Sequence, residues 1–65
     1  MCEANAYFIK DEKEQLILES VDVVQPGDDH TWRLVNIFGD QKEIRARIKK
    51  MRLVEHKILF EAIDD

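Results

Sequence analysis

A chain of 65 residues has material for one domain, and a domain of that size buries only about 60% of its unfolded surface, which leaves no room for an enzyme cleft. Ten Lys and Arg against fourteen Asp and Glu give a formal net charge of −4, which opposes general attraction to nucleic acid. Apolar residues at 45% are enough for a packed globule and exclude disorder as the default.

The one cysteine, Cys2, rules out an internal disulfide and fits a reducing cytosol in which the thiol stays free. The sequence shows neither a basic segment followed by a hydrophobic run nor an apolar stretch long enough to span a membrane, so a soluble, cytoplasmic protein is expected. Dimerisation is a direct way for so small a chain to bury more apolar surface.

Residues 4–10 alternate, with Cys2, Ala4, Ala6 and Phe8 on one side and Glu3, Asn5, Tyr7 and Ile9 on the other. This pattern predicts a strand with the thiol at its beginning. Asp11-Glu12-Lys13-Glu14 is a charged break, and the short apolar run 15–19 after it predicts a second strand that pairs with the first as a hairpin. Val21 to Gln25 is a third β-rich run, bounded by Pro26-Gly27-Asp28-Asp29, the strongest turn signal in the chain. The return strand is expected over 30–38, ending at Gly39-Asp40, with Trp32, Leu34 and Phe38 sharing one parity and therefore assigned to the core.

The segment 41–55 fits two templates. Ile44, Ala46 and Ile48 alternate as in a strand, whereas Ile44, Ile48 and Met51 form a helical stripe. Strand is chosen over 43–52 because short strands and turns surround it. A polar turn at Glu55-His56-Lys57 then precedes a last strand over 58–63, and Asp64 and Asp65 are expected to fray. About six short antiparallel strands in one domain over 1–65 predict an all-β fold, a small barrel of SH3-like or Sm-like size whose closure hides its edges.

No glycine-rich phosphate loop or nucleophile motif is present, so the chain is not read as an enzyme. The acid pairs Asp28-Asp29 and Asp64-Asp65 fall in a turn and a tail, where carboxylates are ordinarily solvated. Cys2 is the residue with chemistry to offer. Its thiolate, its amide nitrogen and the chain's terminal amine lie within a few bonds of one another, and nitrogen–sulfur donor sets favour square-planar Ni(II) or Cu(II). With Met1 retained, the Met1 amine and the Cys2 amide are the nitrogens; with Met1 removed, Cys2 itself supplies amine and thiolate. The alternative is an inert, small apolar cysteine. His30 and His56 are the conventional metal candidates, each at a strand or turn boundary, and neither has a close spacing to Cys2. Arg45, Arg47, Lys49, Lys50 and Arg52 concentrate positive charge on one segment. With an exposed aromatic such as Tyr7, that face is the alternative function, RNA binding by phosphate contact and base stacking.

Taken together, Met1-Cys2-Glu3-Ala4, the run Arg33-Leu34-Val35-Asn36-Ile37-Phe38-Gly39, the segment 44–52 and the ending Leu53-Val54-Glu55-His56-Lys57-Ile58-Leu59-Phe60 resemble the CooT family. These are small nickel-binding proteins of anaerobic bacteria and archaea, many of them also labelled predicted RNA-binding proteins. The resemblance covers nearly the whole chain, and its most specific element is the Cys at position two followed by a strand. It implies a small β-barrel, a homodimer, and Ni(II) bound through Cys2 with Met1 as an amine donor. It also implies the role of a nickel metallochaperone serving a client enzyme such as carbon monoxide dehydrogenase. Two chains meeting at their N-termini would supply two thiolates and two nitrogens to one shared Ni(II).

Overall fold

The computed structural model describes residues 3–63. Met1 and Cys2, and the terminal Asp64 and Asp65, lie outside the described residues. The described chain forms five strands: β1 (Ala4–Lys10), β2 (Lys13–Pro26), β3 (Thr31–Asn36), β4 (Gln41–Arg52) and β5 (Lys57–Ala62). They close into a barrel in the order β1-β2-β3-β4-β5. Successive strands pair antiparallel, and the ring is closed by a parallel ladder between β1 and β5 that runs from Asn5↔Lys57 to Phe8↔Phe60.

The two β-rich runs that the pattern separates at 15–19 and 21–25 are one bent strand, so the barrel has five strands instead of about six. β2 pairs β1 through its first half, as far as Val21, and β3 through its second half, from Val21 to Pro26. The bend sits at Ser20, whose φ is +55°, between register irregularities on either side. A bulge of this kind takes an amide out of the ladder. Here the Asn5 side chain replaces the lost partner, its Oδ1 accepting from the Ser20 N–H at 2.9 Å, while the Ser20 carbonyl accepts from the Ile37 N–H at 3.0 Å. β4 divides its pairing in the same way, with 41–45 against β3 and 46–52 against β5, and carries its own irregularity between Ile48 and Lys50. Two long, bent strands, each shared between two partners, thus curl a short chain into a ring.

The tight turns follow from local chemistry. Asp11 and Glu12, at φ +52° and +64°, form the two-residue β1–β2 connection, whose left-handed pair matches the strands' twist. The β2–β3 turn at Pro26-Gly27-Asp28-Asp29 is closed by Gly27 N–H donating to the Thr31 carbonyl at 2.7 Å and Thr31 N–H donating to the Asp28 carbonyl at 3.1 Å.

The third strand ends at Asn36, two residues before the expected end at Phe38, and Asn36 is the reason. Its buried side chain accepts from the Phe38 N–H at 3.0 Å and the Asp40 N–H at 2.8 Å, and its Nδ2 donates to Asp40 Oδ2 at 3.2 Å. An Asn that offers its own oxygen to the following amides competes with the ladder and turns the chain. Gly39 completes the turn at φ +87°. The alternation therefore stops, and Phe38 is 76% exposed; its assignment to the core is corrected, while Leu34 is fully buried and Trp32 packs partly buried against the cluster.

The segment 41–52 is a strand, as the surrounding spacing predicts. Ala46 is fully buried, and Ile44 and Ile48 of the same parity pack against the core. That core gathers Ala6, Ile17, Val21, Leu34, Ile58 and Phe60 around Ala46. Trp32 tilts 58° against Phe60 with ring centroids 6.1 Å apart, a geometry that aromatic pairs favour. Its indole N–H donates to the Ala46 carbonyl at 3.0 Å, so the ring is half-buried without an unsatisfied donor.

Because one side-chain oxygen holds the β2 bend, Asn5→Leu strands the Ser20 amide and is expected to cost about 1–3 kcal/mol in denaturant unfolding. Asn5→Asp retains an acceptor and should cost less; equal stability of Asn5→Leu and wild type would contradict this role for Asn5.

Candidate metal centre at the start of the first strand

Cys2 and Met1 lie outside the described residues, so the site is approached through the residues that follow them. Glu3 leads into β1, and the parallel ladder brings this stretch against the β4–β5 turn. The Asn5 N–H donates to the His56 carbonyl at 2.8 Å. His56 Nδ1 stands 3.2 Å from the Glu3 carbonyl, which can only accept, so the ring donates through Nδ1–H. His56 closes the turn from Leu53 with φ +56°, its own N–H donating to the Leu53 carbonyl at 3.2 Å. The residue next to Cys2 in sequence is thus held along the closing seam by a side chain 53 positions away.

Two clefts flank this contact. One, of about 380 Å³, is chiefly apolar and is lined by Ala4, Val21, Val24, Met51, Leu53 and Ile58 together with the polar Glu3, Asp22, His56 and Lys57. The other, of about 520 Å³, is polar and is lined by Glu3, Asn5, Glu19, Ser20 and His56. Beside the apolar cleft the β4–β5 turn carries Leu53 at 77% and Val54 at 94% exposure, with Met51 half exposed. Among the described residues no group of three or more His, Cys, Asp or Glu side chains is gathered to hold a metal ion. His30 lies in the β2–β3 turn, where its carbonyl accepts from the Ala46 N–H at 2.9 Å.

The basic segment is strand, and it places Arg45, Arg47 and Lys49 on alternate positions of β4 as expected. Its charges are largely answered by carboxylates. Arg45 pairs with Asp29 at 3.4 Å, Lys49 with Glu61 at 3.5 Å, and Arg52 with Glu55, while Arg47 stands opposite Glu61 in the β4–β5 register. Exposed pairs of this kind add little stability, about 0–1 kcal/mol each, but they cancel the local field a phosphate backbone would need. Tyr7 is half-buried, with the Lys57 ammonium 5.3 Å from its ring centroid. Lys57 in turn donates to Glu14 Oε1 at 2.9 Å, so one face of the ring already carries a paired cation. Among the described residues no helix is long and apolar enough to cross a membrane.

A model of the family described as CO dehydrogenase accessory protein CooT matches residues 1–61, a span that includes Met1 and Cys2. The chain belongs to the CooT family. It is similar to a crystal structure designated a CooT from Carboxydothermus hydrogenoformans, with a TM-score of 0.90 and 46% identity, covering 97% of this chain and 100% of that one. It is also 38% identical over 61 residues to an uncharacterized protein of Methanocaldococcus jannaschii, covering 94% of this chain and 98% of that protein. The family is described as an accessory protein of carbon monoxide dehydrogenase, which supports a maturation role.

The contact of His56 with Glu3 and the apolar cleft are not signalled by the sequence, because both arise from the parallel closure of β1 on β5. The hydrogen bond that Lys57 donates to Glu14, above all other influences, holds Lys57 charged above the ordinary lysine range. A raised folded-state pKa means that this pair stabilises the fold fully below the ordinary lysine pKa and loses its contribution as pH rises through the folded value. Glu14→Gln should therefore lower the Lys57 titration midpoint, followed by NMR of the ε-methylene, and reduce the loss of stability in strongly alkaline solution. An unmoved midpoint would refute the pairing.

Proposed function

We propose that this CooT protein is a nickel carrier, a cytoplasmic metallochaperone that binds Ni(II) as cargo through Cys2 and delivers it to a nickel enzyme such as carbon monoxide dehydrogenase. The observation that carries this reading is the position of the chain's one thiol, second in the sequence and inside the span matched by a family of carbon monoxide dehydrogenase accessory proteins. The donor chemistry fits the cargo. A thiolate with adjacent main-chain nitrogen is a set that Ni(II) accepts in square-planar geometry, and Met1 contributes an amine. The protein binds and hands over and does not catalyse.

One chain offers two or three donors near Cys2, so two chains meeting at this edge complete a four-coordinate shell around one shared Ni(II). The exposed Leu53 and Val54 beside the apolar cleft support the same arrangement, since they give a second chain an apolar surface to cover next to Glu3. RNA binding, the alternative, draws no support from the basic face, whose charges are answered by Asp29, Glu55 and Glu61.

Titration with Ni(II), followed by thiolate-to-nickel charge-transfer absorbance, tests the reading. Wild type should saturate near about half an equivalent per chain, as a shared shell requires, and Cys2→Ser should show no band while unfolding as wild type does. Because thiol and nitrogen lose protons on binding, affinity should fall as pH drops. A band that persists in Cys2→Ser would sink the assignment. For the shared arrangement, Val54→Glu places a charge in the apolar surface and should shift the light-scattering mass from dimer toward monomer; a wild type that stays monomeric with and without nickel would exclude it.

A further inference from the structure

We propose that the outer edge of β2 over residues 15–19, beside Phe38, is a docking site for an extended segment of a partner protein in which Lys or Arg alternates with apolar residues. The site does not include Cys2 and goes beyond the nickel-carrier reading.

The edge follows from how β2 divides its pairing. Its first half pairs β1, and it meets β3 only from Val21 onward. Among the described residues, therefore, no strand pairs 15–19 on the side away from β1, and main-chain donors and acceptors of this stretch face outward. Five residues at about 3.4 Å each give an edge of roughly 17 Å, the length of an ordinary strand. Exposed edges are commonly blunted by Pro or by charged side chains, Lys above all. Gln15-Leu16-Ile17-Leu18 carries neither.

The side chains beside this edge are apolar and fixed in place. Leu16, 46% exposed, and Phe38 share a cleft of about 380 Å³ with Leu18. The main chain of Phe38 is held by the turn that ends β3, since its N–H donates to Asn36 Oδ1 at 3.0 Å. An unpaired edge next to an apolar pocket is what strand addition uses: main-chain hydrogen bonds supply affinity, and the pocket selects alternate side chains.

Charge decides the occupant. Glu19 and Asp40 line the cleft, and no Lys, Arg or His does. A second copy of this chain would bring the same two carboxylates against them, whereas a segment bearing Lys or Arg is attracted. This cleft shares no lining residue with the apolar one beside Leu53 and Val54, so both surfaces can be covered at once.

The test titrates the full-length, nitrogen-15-labelled protein with a short capped peptide of alternating Val and Lys, and with the same peptide carrying Glu in place of Lys. The Lys peptide should give saturable amide shifts confined to 15–19 and 37–40, with slowed hydrogen exchange at the edge. Glu19→Lys and Phe38→Ser alter exposed side chains, so they should unfold thermally as wild type does yet bind the Lys peptide severalfold more weakly. Equal binding of the Glu peptide, shifts centred on Leu53 and Val54, or no saturable shift at 15–19 would each overturn the proposal. So would self-association of the peptide-free protein that broadens 15–19 and is lost in Phe38→Ser, because the occupant would then be a second copy. Cys2→Ser should bind the peptide as wild type does, so this result and the nickel titration stand or fall separately.

Discussion

The structure depends on one ladder, the parallel pairing of β1 with β5 from Asn5↔Lys57 to Phe8↔Phe60. Without it the other four pairings form an open antiparallel sheet with two exposed edges, in a chain too short to cover them any other way. Closure buries Ala6, Ile58 and Phe60 in the same core. It also sets Glu3 and Asn5, shortly after Cys2 in sequence, against the β4–β5 turn. Stability and site geometry therefore share a cause, and changes that loosen this ladder should affect both.

Closing five strands in so few residues requires the long strands to change partner midway, and each does so at an irregularity. At Ser20 the cost of the left-handed backbone and the displaced amide is offset by a single side-chain acceptor, Asn5. Asn5 thereby has two functions at once. Its main chain pairs with His56 across the closing ladder, and its side chain holds the bend of β2. A residue so placed transmits the geometry of the β2 bend directly to the stretch that follows Cys2.

The parts of this architecture that were legible in the sequence are those set by neighbours along the chain. Alternation identified the strand at Ala4–Lys10, the short strands and turns around 43–52 favoured strand where the periodicity fitted two templates, and Pro26-Gly27-Asp28-Asp29 marked its turn. Phe38 escaped because parity assumes that a strand continues, and the Asn36 side chain ends it within two residues. The bend at Ser20 escaped for a different reason: its partner, Asn5, is 15 positions away, and no local turn residue announces it. The contact of His56 with Glu3 spans 53 positions and exists only once the ring is closed. Cys2 was legible as a candidate by its position and isolation, while what packs against Glu3, the residue after it, is a product of topology.

A carrier needs a different kind of site from a structural metal centre. A closed four-ligand site inside a core couples metal affinity to folding, so that release requires unfolding. Here the closed ring holds an apolar core, with Phe60 and Leu34 fully buried. In the proposed carrier reading the thiol precedes the first strand in sequence, so binding and release would not call on the core residues. By the usual order of divalent affinities an N/S site prefers Cu(II) to Ni(II), which places selectivity in the metal supply and in how the edge fixes its donors. A donor set outside the apolar core, as the proposed carrier role implies, would leave the ion open to exchange with a client's own ligands.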